Sequence, residues 1–280
     1  MGCLRAPPGP VTSAHNPVTT MFALVLQAAE TTRTSLSGTI QGHVFPGVLF
    51  VMWAGSWTYH MVADQGPGAL RGGPLEGDRL MPIAKLVLPI IGILGELVPG
   101  GFAWKASMIN NYQHSMMYVP FMISGVVDLL AVSGRISWRA TYVAAAGALL
   151  NAGFLFAGHG HAVGLAGTVH QLLVDMFGAS AVLLLLEVKY PTKEIAWLRI
   201  WSTYVLGLWL IEIAWILYLS GWGLVDPVSQ MKAYLFASAT GVAAAVFLLV
   251  LHQTVGTPRP ATQGQSADHF PGGAATMSPS

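Results

Sequence analysis

Seven apolar stretches, each close to the length that crosses a bilayer, fill most of the chain between Val44 and His252 and make lipid its solvent. They cover residues 44–63, 82–102, 112–133, 138–157, 169–188, 201–220 and 233–251. A helix rises about 1.5 Å per residue, so about 20 residues span the hydrocarbon. Backbone groups in lipid must pair internally, and these runs lack the apolar–polar alternation of barrel strands. With 54% hydrophobic and 9% charged residues, a chain of 280 residues has too little polar surface for a soluble globule. The expected fold class is all-α, a polytopic bundle of seven transmembrane helices.

Basic residues set the orientation. One side of the bundle receives Arg71, Arg79, Lys85, Arg135, Arg139, Lys189, Lys193, Arg199 and Arg259, whereas the other receives Arg5, Arg33, Lys105 and Lys232. The positive-inside rule places the richer side in the cytosol, with the N-terminus exoplasmic or lumenal and the C-terminus cytosolic. No basic cluster is dense enough for nucleic acid, so the bilayer is the expected partner.

Three regions follow. Residues 1–38, rich in Pro, Thr, Ser and Ala, read as a flexible extension, 39–252 as the transmembrane domain, and 253–280 as a disordered tail. The apolar piece 21–29 is interrupted by Gln27 and reads as part of the extension rather than as a signal-peptide core. Cys3 is the only cysteine, which excludes an internal disulfide and any thiolate metal cluster.

Ionisable residues inside spans are expensive and point to function. Alternating helix direction assigns each a depth. The outer half of the bundle collects His43 at the first span, Glu96 at the end of the second and His114 at the start of the third. It also collects His159 and His161 at the end of the fourth, His170 and Asp175 on the fifth and Glu212 on the sixth. No Lys or Arg is expected in the outer half of a span, so the partners for Glu96 and Glu212 are histidines, protons or a metal. His43, Glu96, His114, His159, His161, His170 and Glu212 are the candidate metal ligands, and their chemistry suits Zn or Fe better than Ca²⁺ or Mg²⁺. Glu96 is the candidate acid/base.

On the inner side, Asp128 is about 21 Å along its helix from His114 and is expected to cap or pair near the cytosolic end. Glu187 stands beside Lys189 and reads as solvated or lysine-paired, so that Glu187→Gln should be nearly silent. His60 and His252 flank the same boundary. Phosphate-binding loops, a nucleophile elbow and H-E-x-x-H are all missing.

The segments 42–47 (GHVFPG), 111–115 (NYQHS), Met117-Tyr118 and 124–128 (SGVVD) resemble the transmembrane protein 45 family, a eukaryotic group built on a domain of unknown function. The likeness continues through Gly153-Phe154-Leu155-Phe156, His159-Gly160-His161, His170 with Leu172-Leu173, Leu186-Glu187-Val188, and Gly207 with Trp209. It covers about residues 42–252. Similar proteins carry an Asp and a further His shortly before the equivalent of His170, where this chain has Ala166 and Thr168, and Glu212 stands where Gln is expected. The resemblance implies a seven-helix membrane protein and supplies no activity.

Three functional readings stay open. The chain is a multi-pass membrane protein of unassigned activity, a metal-dependent hydrolase or oxidase acting on a lipid-accessible substrate, or an ion or proton-coupled transporter. An enzyme would use Glu96 as proton acceptor beside a metal that activates water or O₂. A transporter would continue its polar path through Asp128, Glu187, His60 and His252.

Overall fold

A computed structural model describes residues 40–63, 79–98, 101–102, 104–105, 108–158 and 163–256. The extension at 1–38, the piece at 21–29, the tail beyond residue 256, and His159 and His161 lie outside the described residues.

The described residues form an all-helical bundle of α1 (Ile40–Ala63), α2 (Leu80–Leu97), α3 (Ile109–Val132), α4 (Trp138–Ala157), α5 (Gly164–Lys189), α6 (Lys193–Tyr218) and α7 (Pro227–Gly256). Six of them, α2 to α7, are long and apolar enough to cross a membrane. The 24-residue α1 is not among the six, because His43, Ser56, Thr58 and His60 dilute its apolar residues.

Helix α4 has the bounds expected from its apolar run, but most others reach further into polar sequence. The apolar run of α6 begins at Trp201, yet the helix starts eight residues earlier, where Thr192 caps it by accepting from the Ile195 N–H at 3.4 Å. Asp226 does the same for α7, accepting from the Val228 and Ser229 N–H groups, each at 3.1 Å, with Pro227 at the first helical position. Helix α2 instead stops five residues short of its apolar run, and Gly101 and Phe102 take the left-handed conformation at φ 64° and 56°.

Packing follows the chain: α2 lies on α3, α3 on α4, α4 on α5 and α5 on α6. Helix α1 closes the bundle against α6, while α7 packs outside on α6 and α5. The α1–α6 crossing depends on two glycines, since a Cβ at Gly47 would stand 2.7 Å from the Gly207 carbonyl oxygen and one at Gly207 2.8 Å from that of Gly47. Close approach through small residues is how helices associate in lipid, where no hydrophobic force separates side chain from solvent. The core beneath is apolar and aromatic, with Trp209 fully buried and its indole N–H donating to the Val169 carbonyl at 3.1 Å. Fewer contacts join α1 to α2 than join any other two helices adjacent in the chain.

Candidate functional site

Four of the expected outer residues meet in the interior. His43 from α1, Glu96 from α2, His114 from α3 and His170 from α5 are all buried. The His114 Nδ1 lies 3.3 Å from Glu96 Oε1, and the His43 and His170 Nε2 atoms are 3.4 Å apart. His43 joins the two pairs, its ring centroid 5.9 Å from that of His114 and 5.6 Å from that of His170. The His170 Nδ1 stands 2.8 Å from the Ala166 carbonyl. That carbonyl fixes the proton on Nδ1 and leaves Nε2 to accept from His43, which is the usual way a backbone partner sets an imidazole tautomer.

Gly42 makes this assembly fit, because a Cβ there would lie 2.8 Å from His114 Nδ1 and 2.9 Å from Glu96 Oε1. Phe156 forms the apolar floor, within ring contact of His43, His114 and His170, and Tyr218 closes another side at 6.1 Å from His43.

No Lys or Arg among the described residues pairs with Glu96, and a neutral partner went unforeseen. Asn111 donates from Nδ2 to Glu96 Oε2 at 2.9 Å and to its carbonyl oxygen at 3.1 Å. Asn111 precedes His114 by three residues and so shares its helix face, a signal present in the sequence.

Two residues assigned to the outer group point elsewhere. Glu212 faces α7 and accepts from the Thr240 hydroxyl, and Asp175 is exposed and bonded to Gln171 one turn away. Among the described residues no three His, Asp, Glu or Cys side chains are grouped so as to hold a metal ion. The Nε2 atoms of His43 and His170 face each other, His170 Nδ1 is bonded to the backbone, and Glu96 accepts from Asn111 with its other oxygen 3.3 Å from His114.

An apolar slot leads away from this cluster. It has a volume of about 90 Å³ and is lined by α1, α2 and α3, with α4, α5 and α6 behind. His114 stands at its outer end and Lys85 at its inner end, with Leu49, Phe50, Leu88 and Phe121 between them.

The inner half is organised differently and departs from expectation. Glu187 is fully buried, not solvated, and its partner is Arg199 rather than Lys189, with Arg199 Nε 2.5 Å from Oε2 and the Tyr142 hydroxyl donating to Oε1 at 3.1 Å. Residues two apart on a helix diverge, which takes Lys189 away, while the α5–α6 hairpin brings Arg199 across. The Arg199 guanidinium carbon lies 3.9 Å from the centre of the Trp57 ring, and its two terminal nitrogens make no hydrogen bond among the described residues. Asp128 does pair near the inner end, with Lys85 at 2.6 Å, and that ammonium stands 4.3 Å from the Trp53 ring centre. Trp53 and Trp57 touch, centroids 4.7 Å apart, so two ion pairs rest on adjoining faces of α1. His60 is half-buried against Tyr59 and His252 stacks edge-on to Trp197, and neither enters these pairs.

The family described as "Family of unknown function (DUF716)" matches residues 138–223, the stretch from α4 to the loop after α6 that carries Phe156, His170, Glu187, Arg199 and Tyr218.

Proposed function

We propose that this chain is a multi-pass membrane protein of the transmembrane protein 45 type, crossing the bilayer seven times, and that its His/Glu cluster is the centre of a membrane enzyme acting on a lipid-accessible substrate. Support for seven crossings comes from α1, which packs along α6 as part of the bundle and carries His43 into its interior. A seventh crossing places the N-terminal side outside and the tail in the cytosol. Arg199 and Lys85 leave the count of cytosolic loop charges because they lie in ion pairs, but Arg79, Arg135, Arg139, Lys189 and Lys193 still mark the inner face. Tags at both termini, probed with and without permeabilisation, test this: accessibility of the N-terminal tag alone in intact cells or sealed vesicles supports it, and two cytosolic tags defeat it.

The observation that carries the enzyme reading is a buried carboxylate partnered by an imidazole and an amide rather than by a fixed cation. A Glu–His pair can pass a proton either way, whereas a Glu–Arg pair cannot, since arginine stays charged. Glu96 is the proton acceptor, His114 its partner, and His43 and His170 extend the path. Transport fits less well, because the residues between the outer cluster and Lys85 are apolar and give a moving ion nothing to replace its water. Comparison of membrane lipids from cells expressing the wild type and Glu96→Gln tests the reading. Accumulation of one lipid class with Glu96→Gln, at equal protein level, supports it; identical profiles on deletion, replacement and mutation overturn it.

A metal-assisted version has one favourable dimension. Two nitrogens bound at 2.0–2.1 Å to tetrahedral Zn²⁺ stand about 3.3 Å apart, close to the 3.4 Å between His43 and His170 Nε2. Elemental analysis decides: stoichiometric Zn or Fe, lost in His43→Ala, establishes it, and metal-free active protein leaves acid–base chemistry alone.

A further inference from the structure

The slot lies between α1 and the α2–α3 pair. Its backing helices are closely packed, whereas α1 and α2 approach each other chiefly at its two ends, and Met52 on its α1 wall is half exposed. Gly42 and Trp53 mark its ends on α1, a rise of about 16 Å, roughly half the hydrocarbon thickness. A lipid chain lying in an apolar slot gains the dispersion contacts of its lining.

Electrostatics narrow the occupant. Lys85, the cation at the inner end, is already neutralised by Asp128 at 2.6 Å. At the outer end Glu96 stands behind His114, and among the described residues that line the slot no Lys or Arg stands there to receive an anionic headgroup. The phenol-bearing Tyr118 and the His114 ring are the polar groups of the outer lining, and both suit a neutral hydrogen-bonding group. We propose that the slot binds a single-chain neutral lipid, such as a long-chain alcohol, entering laterally between α1 and α2 with its chain toward Trp53 and its polar end at His114. This rests on the reading of the His/Glu cluster as a chemical centre, for which it names the substrate class.

The occupant comes from the outer leaflet, since the polar end lies at the outer mouth. Binding leaves the Lys85–Asp128 pair intact, and the ligand's hydroxyl or carbonyl lies beside the imidazole that contacts Glu96. That placement puts the reactive end of the lipid, rather than its chain, at the proton acceptor.

Full-length protein in phosphatidylcholine nanodiscs, photolabelled with a diazirine-bearing long-chain alcohol, tests the assignment. The expected result is saturable labelling of the α1 and α3 segments around Phe50 and Phe121, suppressed by unlabelled alcohol but not by the matching carboxylate. Ala84→Phe, which places a ring in the slot, should lower that labelling about tenfold, and Ala84→Leu should do so less, as a milder filling that keeps the test alive should the first variant misfold. His43→Ala removes a member of the chemical centre that does not line the slot, so it should leave labelling unchanged even as any lipid turnover falls. Labelling that never saturates, that matches the lipid-facing surface of α7, that follows the carboxylate or a diazirine phosphatidylcholine equally, or that survives both Ala84 variants overturns the proposal. Saturable labelling with no lipid turnover would overturn the enzyme reading and leave the binding site standing.

Discussion

The outer and inner halves of the bundle each bury carboxylates, yet they neutralise them by opposite means. Outside, Glu96 is held by His114 and Asn111, groups that carry no fixed charge. Inside, Glu187 and Asp128 are held by Arg199 and Lys85, each cation laid on a tryptophan of α1. Arginine stays charged, so the Glu187–Arg199 pair acts as a lock between α5 and α6. The carboxylate of Glu96 has an imidazole and an amide beside it and no permanent cation. On the proposed reading one polar layer holds the fold and the other performs chemistry, and variants of the two should separate stability from function.

The largest effect is expected at the inner lock. Removing one member of a buried pair leaves an uncompensated charge, a loss of about 3–5 kcal/mol in soluble proteins. Arg199→Met and Glu187→Gln should each sharply lower the midpoint of detergent unfolding, and the double variant should recover much of the loss. This reverses the expectation that Glu187→Gln is silent, and a silent Glu187→Gln would erase the contrast between the two halves.

The two glycine contacts sharpen the comparison at smaller magnitude. At Gly207 an added Cβ meets backbone of α1, which cannot yield without moving the helix, so Gly207→Ala should destabilise by about 1–3 kcal/mol. At Gly42 the added Cβ meets the tips of His114 and Glu96, which can rotate away. Gly42→Ala should thus unfold near the wild-type midpoint while separating the Glu96–His114 pair. Equal melting losses from both would show that the outer cluster is structural after all.

Helix existence was legible because lipid permits few alternatives: long apolar runs must be helices, and α4 even has the bounds its run implies. Helix ends were less so, since caps at Thr192 and Asp226 extend α6 and α7 into polar sequence that a hydropathy run excludes. Depth counting brought His43, Glu96, His114 and His170 together, because helix rise converts sequence position into height. It could not supply azimuth. Glu212 has the expected helix but faces Thr240 on α7, and Arg199 sits near the inner end as counted but points into the core rather than out of the bundle. Height alone thus found four members of the outer site and missed the inner lock.

At the outer cluster itself, Glu96→Gln and His114→Asn should change stability by no more than about 1 kcal/mol, because the first keeps an acceptor for Asn111 and the second an amide beside Glu96. Their effect should fall on the lipid profile instead. A loss of stability comparable to that of Arg199→Met would place Glu96 in the same structural class as Glu187 and remove the basis for an acid–base centre.

The smallest effect separates the two ends of the molecule by pH. Asp226 lies in the outer loop just before α7, and the N–H groups of Val228 and Ser229, the Ser229 hydroxyl and nearby Lys232 hold its carboxyl below the usual range. The same loop braces the start of α5, since the Leu165 N–H donates to the Leu224 carbonyl at 2.7 Å. A depressed carboxyl contributes stability above its unfolded value of about 3.9 and loses it as pH falls through the lower folded value. Amide exchange at the start of α7 should therefore rise on acidification through that range in the wild type, while Asp226→Asn, which keeps a capping oxygen but no titrating group, should show little of that rise. The α5–α6 junction near Glu187 serves as the internal reference, because Arg199 remains charged throughout. Parallel opening of both ends in acid would mean that protonation disrupts the bundle as a whole rather than its outer end.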